Sequence, residues 1–277
     1  YCGSGLSVNE VAAGKGTVYL QDLSVQIIGI AAIITILSGN KIGSIKCGDS
    51  ILNPISINDK YDRIVVEAPL KVKYKSEYLM YIEEKNVLYS NSGESETIGI
   101  RHAIARLNED GIAIALVPMG ILFRSMKKTI QIRELLVEDK YVDSIIELPA
   151  GIIPNTGFAA AFVIFKKNKK NEEVFMINAK DFFVKDKNSC SISDKKVSEL
   201  IEILRSEKNV KNISAKINKK TLKKNGYDLC PQRYIVNNPM DDLVIEDTEK
   251  MDRRYKRLKE ELNSIEEYLQ VIRKRFI

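Results

Sequence analysis

Tyr1-Cys2-Gly3-Ser4-Gly5 opens the chain, and Thr17-Val18-Tyr19-Leu20-Gln21-Asp22 follows it, ahead of an apolar stretch from Val25 to Leu37. A glycine-bearing loop, a β-prone run, an acid and an apolar helix come in that order, and the order decides the fold. Glycines let a backbone turn tightly and bring its amides close to a nucleotide-like ligand. Asp22 lies 19 residues beyond Gly3. Nucleotide-binding α/β sheets keep an acid at about that distance, at the end of the second strand, to accept hydrogen bonds from ribose hydroxyls. The same aspartate also suits the start of the following helix, whose dipole favours negative charge. Gly39-Asn40 ends that helix. Its apolar run is too short to span a bilayer and reads as a buried helix.

Working outward, Ile45 to Cys47 reads as a short strand running into Gly48-Asp49, and Tyr61 to Val66 as a buried strand. Residues 71–97 read as polar and irregular. A helix is expected over Ile98 to Leu107, carrying His102, then a turn over Asn108-Glu109-Asp110-Gly111 and a buried strand over Ile112 to Val117. Met126 to Val137 is patterned as an amphipathic helix and Val142 to Leu148 as a strand. Phe158 to Lys166 and Val174 to Ile177 read as two more strands, paired as an antiparallel hairpin. Alternating strands and helices imply an α/β, doubly wound, mostly parallel Rossmann-like sheet. The expected organisation is a core over 1–183, a basic extension over 184–244 lying outside that core, and a heptad helix over 245–277. In that last part Met251, Tyr255, Leu258, Leu262, Ile265, Leu269, Ile272 and Phe276 alternate steps of four and three between charged flanks. Such a seam suits either packing on the chain's own domain or pairing with a partner helix.

The net charge of +6, with 29% charged residues, fits a nucleic-acid partner without demanding one. Cys2, Cys47, Cys190 and Cys230 form no CxxC pair, and with His102 as the one histidine no zinc site assembles by spacing. Isolated thiols read as reduced cysteines of a cytoplasmic protein. The lysines at 166–170 read as a solvated hairpin turn, with a DNA clamp the alternative, and Lys195-Lys196 with Lys216 to Lys224 as solvated surface, with phosphate contact the alternative. Asp49 closes the third strand, where ligands bind at the carboxyl edge of such sheets. It could accept a hydrogen bond from an adenine amino group or simply serve a turn. Glu67-Ala68-Pro69-Leu70 is, by itself, a strand end and a proline turn.

Taken together these residues resemble a known family, the modification subunits of type I restriction-modification systems. Tyr1 to Gly5 resembles the end of its cofactor motif, and Asp22 and Asp49 fall at its ribose- and adenine-binding acids. Glu67 to Leu70 falls where the family has Asn-Pro-Pro-Phe or Tyr. Downstream, Asn108 to Pro118, Gly120 to Phe123, Ile132 to Leu136, Ile145 to Pro149, Asn155 to Gly157 and Asp228 to Tyr234 resemble its later segments. The resemblance covers about residues 1–236. It implies an adenine-specific DNA methyltransferase that binds S-adenosylmethionine through Cys2, Gly3, Ser4, Gly5, Asp22 and Asp49. Glu67, Ala68, Pro69 and Leu70 would then face an extruded adenine. Implied partners are double-stranded DNA, a specificity subunit held by the C-terminal helix, a second modification subunit and a restriction subunit, with no membrane.

In this family the motif's asparagine and first proline carbonyl accept hydrogen bonds from the target amine, and its aromatic residue stacks on the base. Here only Pro69 matches. Glutamate is a methylene longer than the aspartate that related enzymes use, and Leu70 gives up stacking worth roughly 1–3 kcal/mol. Weak or absent turnover is therefore expected, leaving a binding or scaffold protein as the alternative. The family's first strand would precede Tyr1. Without it the neighbouring strand edges should be unpaired, since a central strand normally satisfies both.

Overall fold

The computed structural model describes residues 2–56, 59–69, 72–74, 93–153, 156–186 and 190–235, together with 257 and 259. Leu70 and most of the heptad stretch lie outside the described residues. The chain divides into two units, Tyr1–Ile235 and Val236–Ile277. In the first unit, α1 (Leu6–Ala12), β1 (Thr17–Asp22), α2 (Val25–Leu37) and β2 (Lys41–Cys47) form one layer pair. β1 and β2 run parallel, with Asp22 opposite Cys47. The Ser24 hydroxyl accepts from the Ile27 amide and caps α2. Only one stripe of α2, through Ile28, Ala31 and Thr35, is buried; Val25, Ile30, Ile33 and Leu37 are exposed. The expectation of a buried helix is thus corrected. A two-stranded sheet offers one side to pack on, so the apolar outer face of α2 has no layer above it among the described residues.

β3 (Tyr61–Val66) follows, then the short pair β4 (Lys73–Tyr74) and β5 (Gly93–Glu94), and α3 (Ser95–Arg106). Next come β6 (Leu107–Pro118), α4 (Gly120–Phe123), α5 (Lys127–Glu138), β7 (Val142–Glu147), β8 (Ala160–Lys166) and β9 (Glu173–Asn178). A short pair, β10 (Val184–Lys185) and β11 (Cys190–Ser191), precedes α6 (Asp194–Ser206), β12 (Ser214–Asn218) and α7 (Lys219–Lys224). The large sheet has six strands in the order β12-β9-β7-β8-β6-β3. β3, β6, β7 and β9 point one way, and β8 and β12 run against them. β1 and β3 are both edge strands here, each with one partner strand among the described residues.

Three local expectations change. The antiparallel hairpin joins β7 to β8, with Ile145 opposite Val163, while β9 pairs parallel with β7 on its other side. The two strands expected to pair with each other are thus separated by β7. A sequence shows where strands lie but not which edge the chain returns to.

The turn expected at Asn108–Gly111 is absorbed into β6 as an irregularity. Tyr61 pairs with Leu107 and Arg63 already with Ile112. Gly111 is needed there, because a Cβ would come within 2.7 Å of the Leu107 side chain.

The segment expected to lie outside the core belongs to it. β12 pairs antiparallel with β9, and Leu222, Tyr227 and Leu229 are buried. Apolar residues there outweigh the lysine-rich composition, because Lys216, Lys219 and Lys223 pair with Glu207 and Glu138 on the surface. No described helix is long and apolar enough to cross a membrane.

Strand alternation splits the core into two faces. Ile145, Val163 and Met176 pack with Ile100, Ile104, Leu136 and Val137 of α3 and α5 on one. Ile146, Ile164, Phe175 and Ile177 pack with Leu200, Ile203 and Leu204 of α6 on the other. Arg133, buried in α5, donates to the carbonyls of Tyr227 (2.7 Å), Ile121 (2.9 Å) and Arg124 (3.0 Å). The Leu229 amide adds a bond to the Leu122 carbonyl. The Asp228–Tyr234 segment is held in turn by Arg233 on Asp228, by Tyr234 on the Asp228 carbonyl and by Gln232 on Glu147. Its role is to clamp the loop that follows β6 at the carboxyl end of the sheet.

Candidate active site

The first five residues fold into a compact turn. Gly3 and Gly5 have φ of +52° and +74°, a region that costs other residues strain. The Gly5 amide donates to the Cys2 carbonyl, and the Cys2 amide donates to Gln21 at the end of β1. A Cβ on Gly5 would lie 3.2 Å from Ala31 and 3.3 Å from the Asn9 amide, so α1 and α2 press against this glycine. A Cβ on Gly3 would meet nothing within 4 Å. The glycine loop is therefore tight behind and open in front. Ser4 is half-buried beside it. Cys2 is half-buried too, its thiol pushed above the usual range mainly by burial.

Asp22 ends β1. Its Oδ2 accepts from the Gly3 amide at 3.0 Å, and its Oδ1 accepts from the Ser24 amide at 3.2 Å. Each oxygen keeps capacity for a further donor. Gln21 next to it is buried and reaches the other way, its Nε2 donating to the carbonyls of Asn53 (2.7 Å) and Asp49 (3.3 Å). The loop after β2 is thus tied to the end of β1. Asp49 organises that loop: Oδ1 accepts from the amides of Ile51 (2.7 Å) and Leu52 (3.0 Å), and Oδ2 accepts from the Tyr74 hydroxyl at 3.0 Å.

Beyond β3, Glu67 and Pro69 are exposed and Ala68 is buried. Gly99 of α3 lies against this strand end, its built Cβ 3.2 Å from Val66 and 3.4 Å from Ala68. The Ser95 hydroxyl donates to the Pro69 carbonyl and accepts from the Val72 amide at 3.2 Å. The Ser95 amide donates to the Val72 carbonyl at 2.7 Å. Bonds thus lead from Gly3 to Asp22 and, from the neighbouring Gln21, to Asp49 and Tyr74, while Ser95 joins Val72, two residues before Tyr74, to Pro69. Residues scattered over the first seventy positions converge at the carboxyl ends of their strands.

His102, on α3, has its imidazole pushed down to about 4 by burial first and by Arg106 second, with Asp49 pulling the other way. It is neutral at neutral pH and packs behind the rim. Among the described residues no group of histidines, cysteines and acids could hold a metal. Gln21, Tyr74 and Ser95 carry no signal in the sequence. Their importance comes from bonds to partners 23 to 32 positions away, which no local pattern encodes.

A parallel sheet with a glycine turn and two acids at its carboxyl rim resembles the arrangement with which Rossmann-like folds bind nucleosides. Carboxylates there accept from hydroxyls and amines, and the open glycine lets a ligand approach the backbone. The chain belongs to the N-6 DNA methylase family, whose sequence pattern matches residues 9–242. It is 28% identical over 137 residues to the Type I restriction enzyme MpnII methylase subunit of Mycoplasma pneumoniae, an alignment covering 49% of this chain and 25% of that protein. It is 26% identical over 214 residues to the Type I restriction enzyme MjaVIII methylase subunit of Methanocaldococcus jannaschii, covering 68% and 35%. The fold is shared with the type I restriction-modification system methyltransferase subunit of Streptococcus thermophilus. The TM-score is 0.78 at 22% identity, over 85% of this chain and 53% of that one. The chain thus spans between a quarter and about half of the length of these relatives.

Proposed function

We propose that this chain carries the methyltransferase fold of a type I modification subunit and binds S-adenosylmethionine at the rim formed by Gly3, Gly5, Asp22 and Asp49. The observation that carries the reading is the set of hydrogen bonds that ties the Gly3 loop to Asp22, Gln21 to Asp49, Asp49 to Tyr74, and Ser95 to Pro69 and Val72. The open space over Gly3 and the unused acceptor capacity of Asp22 fit a ribose and its neighbouring groups. Asp49 would accept from the adenine amine. Cys2 and Ser4 contribute the backbone of the loop. When bound, the cofactor supplies an electrophilic methyl group on a sulfonium.

Glu67, Ala68, Pro69 and Leu70 would meet an adenine extruded from double-stranded DNA. The adenine amine is a poor nucleophile because its lone pair is delocalised into the ring. Acceptors that fix its N–H bonds aim the nitrogen in line with the methyl. The Glu67 carboxylate and the Ala68 carbonyl are the acceptors available. A misplacement of about 1 Å can cost on the order of a hundredfold, and the longer glutamate risks such an error. Sequence choice would lie with a specificity subunit gripped by the heptad-patterned stretch 245–277. A second modification subunit and a restriction subunit would complete the assembly.

Calorimetry with S-adenosylmethionine, paired with methyl transfer to adenine-containing duplex by the unmodified chain and by Glu67→Asn, tests this. Binding with weak transfer, improved by Glu67→Asn, is the expected result. Absence of binding would remove the cofactor assignment. The second reading, a scaffold that kept the fold and lost the reaction, is favoured by the exposed Glu67 in the asparagine position. It predicts binding to cofactor, DNA or partner with no transfer by either form.

A further inference from the structure

The loop that follows β2 holds Asp49 in a way that does more than place a carboxylate at a rim. An ionised carboxylate offers about four acceptor directions. The amides of Ile51 and Leu52 take both directions of Oδ1, and the Tyr74 hydroxyl takes one of Oδ2. One direction remains. Because two donors lie in its own loop and the third comes from β4, the carboxylate plane is fixed and its last lone pair points one way. Tyr74 is buried, so its hydroxyl is held in place and not replaced readily by water.

A single fixed acceptor suits one N–H of an aromatic amine. A 6-oxo group in the same position would set an acceptor against an acceptor, a mismatch that sites built around a hydrogen bond reject strongly. Resting on the cofactor assignment above, we propose that Tyr74 is the positioning residue that makes Asp49 selective for the 6-amino group of the cofactor's adenine. Tyr74 belongs to β4, which pairs with β5 directly before Ser95, and Ser95 holds Pro69. The residue that aligns the adenine acid is therefore on the strap that also fixes the Glu67–Pro69 loop.

The test compares binding of S-adenosylmethionine and its 6-oxo counterpart S-inosylmethionine to the full chain by calorimetry. The unmodified chain should prefer the amino form by at least about tenfold, each tenfold being about 1.4 kcal/mol. Tyr74→Phe removes one oxygen and should shrink that preference several-fold. An equal preference in Tyr74→Phe, with tight binding of both ligands retained, would overturn the role of Tyr74 and leave the cofactor assignment standing. No binding of either ligand to the unmodified chain would overturn both. Asp49→Asn serves as the second variant should Tyr74→Phe fail to fold. The two backbone amides require its oxygen at the Oδ1 position, so its amide nitrogen should take the Oδ2 position and invert the preference towards the 6-oxo ligand. A retained preference for the amino form would sink the proposed alignment.

Discussion

The backbone amide of Gly3 donates to Asp22 Oδ2 across 3.0 Å, so the glycine loop is latched to the last residue of β1. The Ser24 amide uses the other oxygen at 3.2 Å. Both partners are donors, and only a carboxylate satisfies both. Asp22→Asn turns one oxygen into a donor that must face an amide. We expect affinity for S-adenosylmethionine to fall at least about tenfold, close to 1.4 kcal/mol, with little change in thermal stability. Unchanged affinity by calorimetry would show that the latch does not shape the site.

The two glycines of the loop should fail differently. Gly5→Ala meets both positive-φ strain and the crowding of Ala31 and Asn9. Gly3→Ala meets only the strain. Strain of this kind costs of order 1–3 kcal/mol. Thermal unfolding should therefore show the larger loss for Gly5→Ala. For Gly3→Ala the main loss should appear in cofactor affinity, as the new methyl enters the open space in front of the loop. The reverse pattern would contradict the assignment of front and back.

Arg133 connects α5 to the loop after β6 and to Tyr227. Removing the guanidinium in Arg133→Met strands three carbonyl groups, and each buried unsatisfied group costs roughly 1–3 kcal/mol. A loss of about 3 kcal/mol or more is expected, which corresponds to a drop of roughly 10 °C in a domain of this size. Differential scanning calorimetry decides the point. A change below a few degrees would mean that water replaces the guanidinium.

Two acid-driven losses of stability should occur in successive pH windows. His102 has an ordinary value of 6.5 and is held down to about 4 in the fold, burial being the main cause. Between these values the unfolded chain takes up a proton that the folded chain refuses. Stability is therefore whole above 6.5 and declines as pH falls towards 4, by on the order of 2 kcal/mol. His102→Gln should flatten that limb in urea denaturation followed from pH 7 to 4.

Glu138 has an ordinary value of 4.5 and is held at about 2, chiefly by the Tyr227 hydroxyl and then by Lys219. Its contribution is present above 4.5 and is lost as pH falls from there towards 2. The same contact raises the Tyr227 hydroxyl, after burial, so a second loss is expected as pH rises beyond 10. Glu138→Gln should remove the acid limb and weaken the alkaline one. Denaturation curves that keep both limbs would rule out this pair as their source.

Much of the candidate site is legible in the sequence. Gly3, Gly5, Asp22 and Asp49 are marked by residue type and spacing, because a glycine turn and a strand-end acid must be local features of the chain. Glu67 to Pro69 was legible as an altered motif for the same reason. The support around them was not. Gln21, Tyr74 and Ser95 are ordinary polar residues whose partners are set by how loops from different strands meet. The basic character of residues 216–224 was also misleading. Three of those lysines bond to carboxylates of the same unit, and Leu222 beneath them is buried.

By itself, the sequence determined the class of fold and the order of its strands, because hydrophobic period, glycine turns and strand-end acids are written residue by residue. Tertiary structure alone decided which strands are neighbours. It put β8 against both β6 and β7, absorbed Asn108–Gly111 into β6 and drew β12 into the sheet. Those choices depend on which edge and which apolar face each segment can bury. That is a property of the assembled layers, and no single segment contains it.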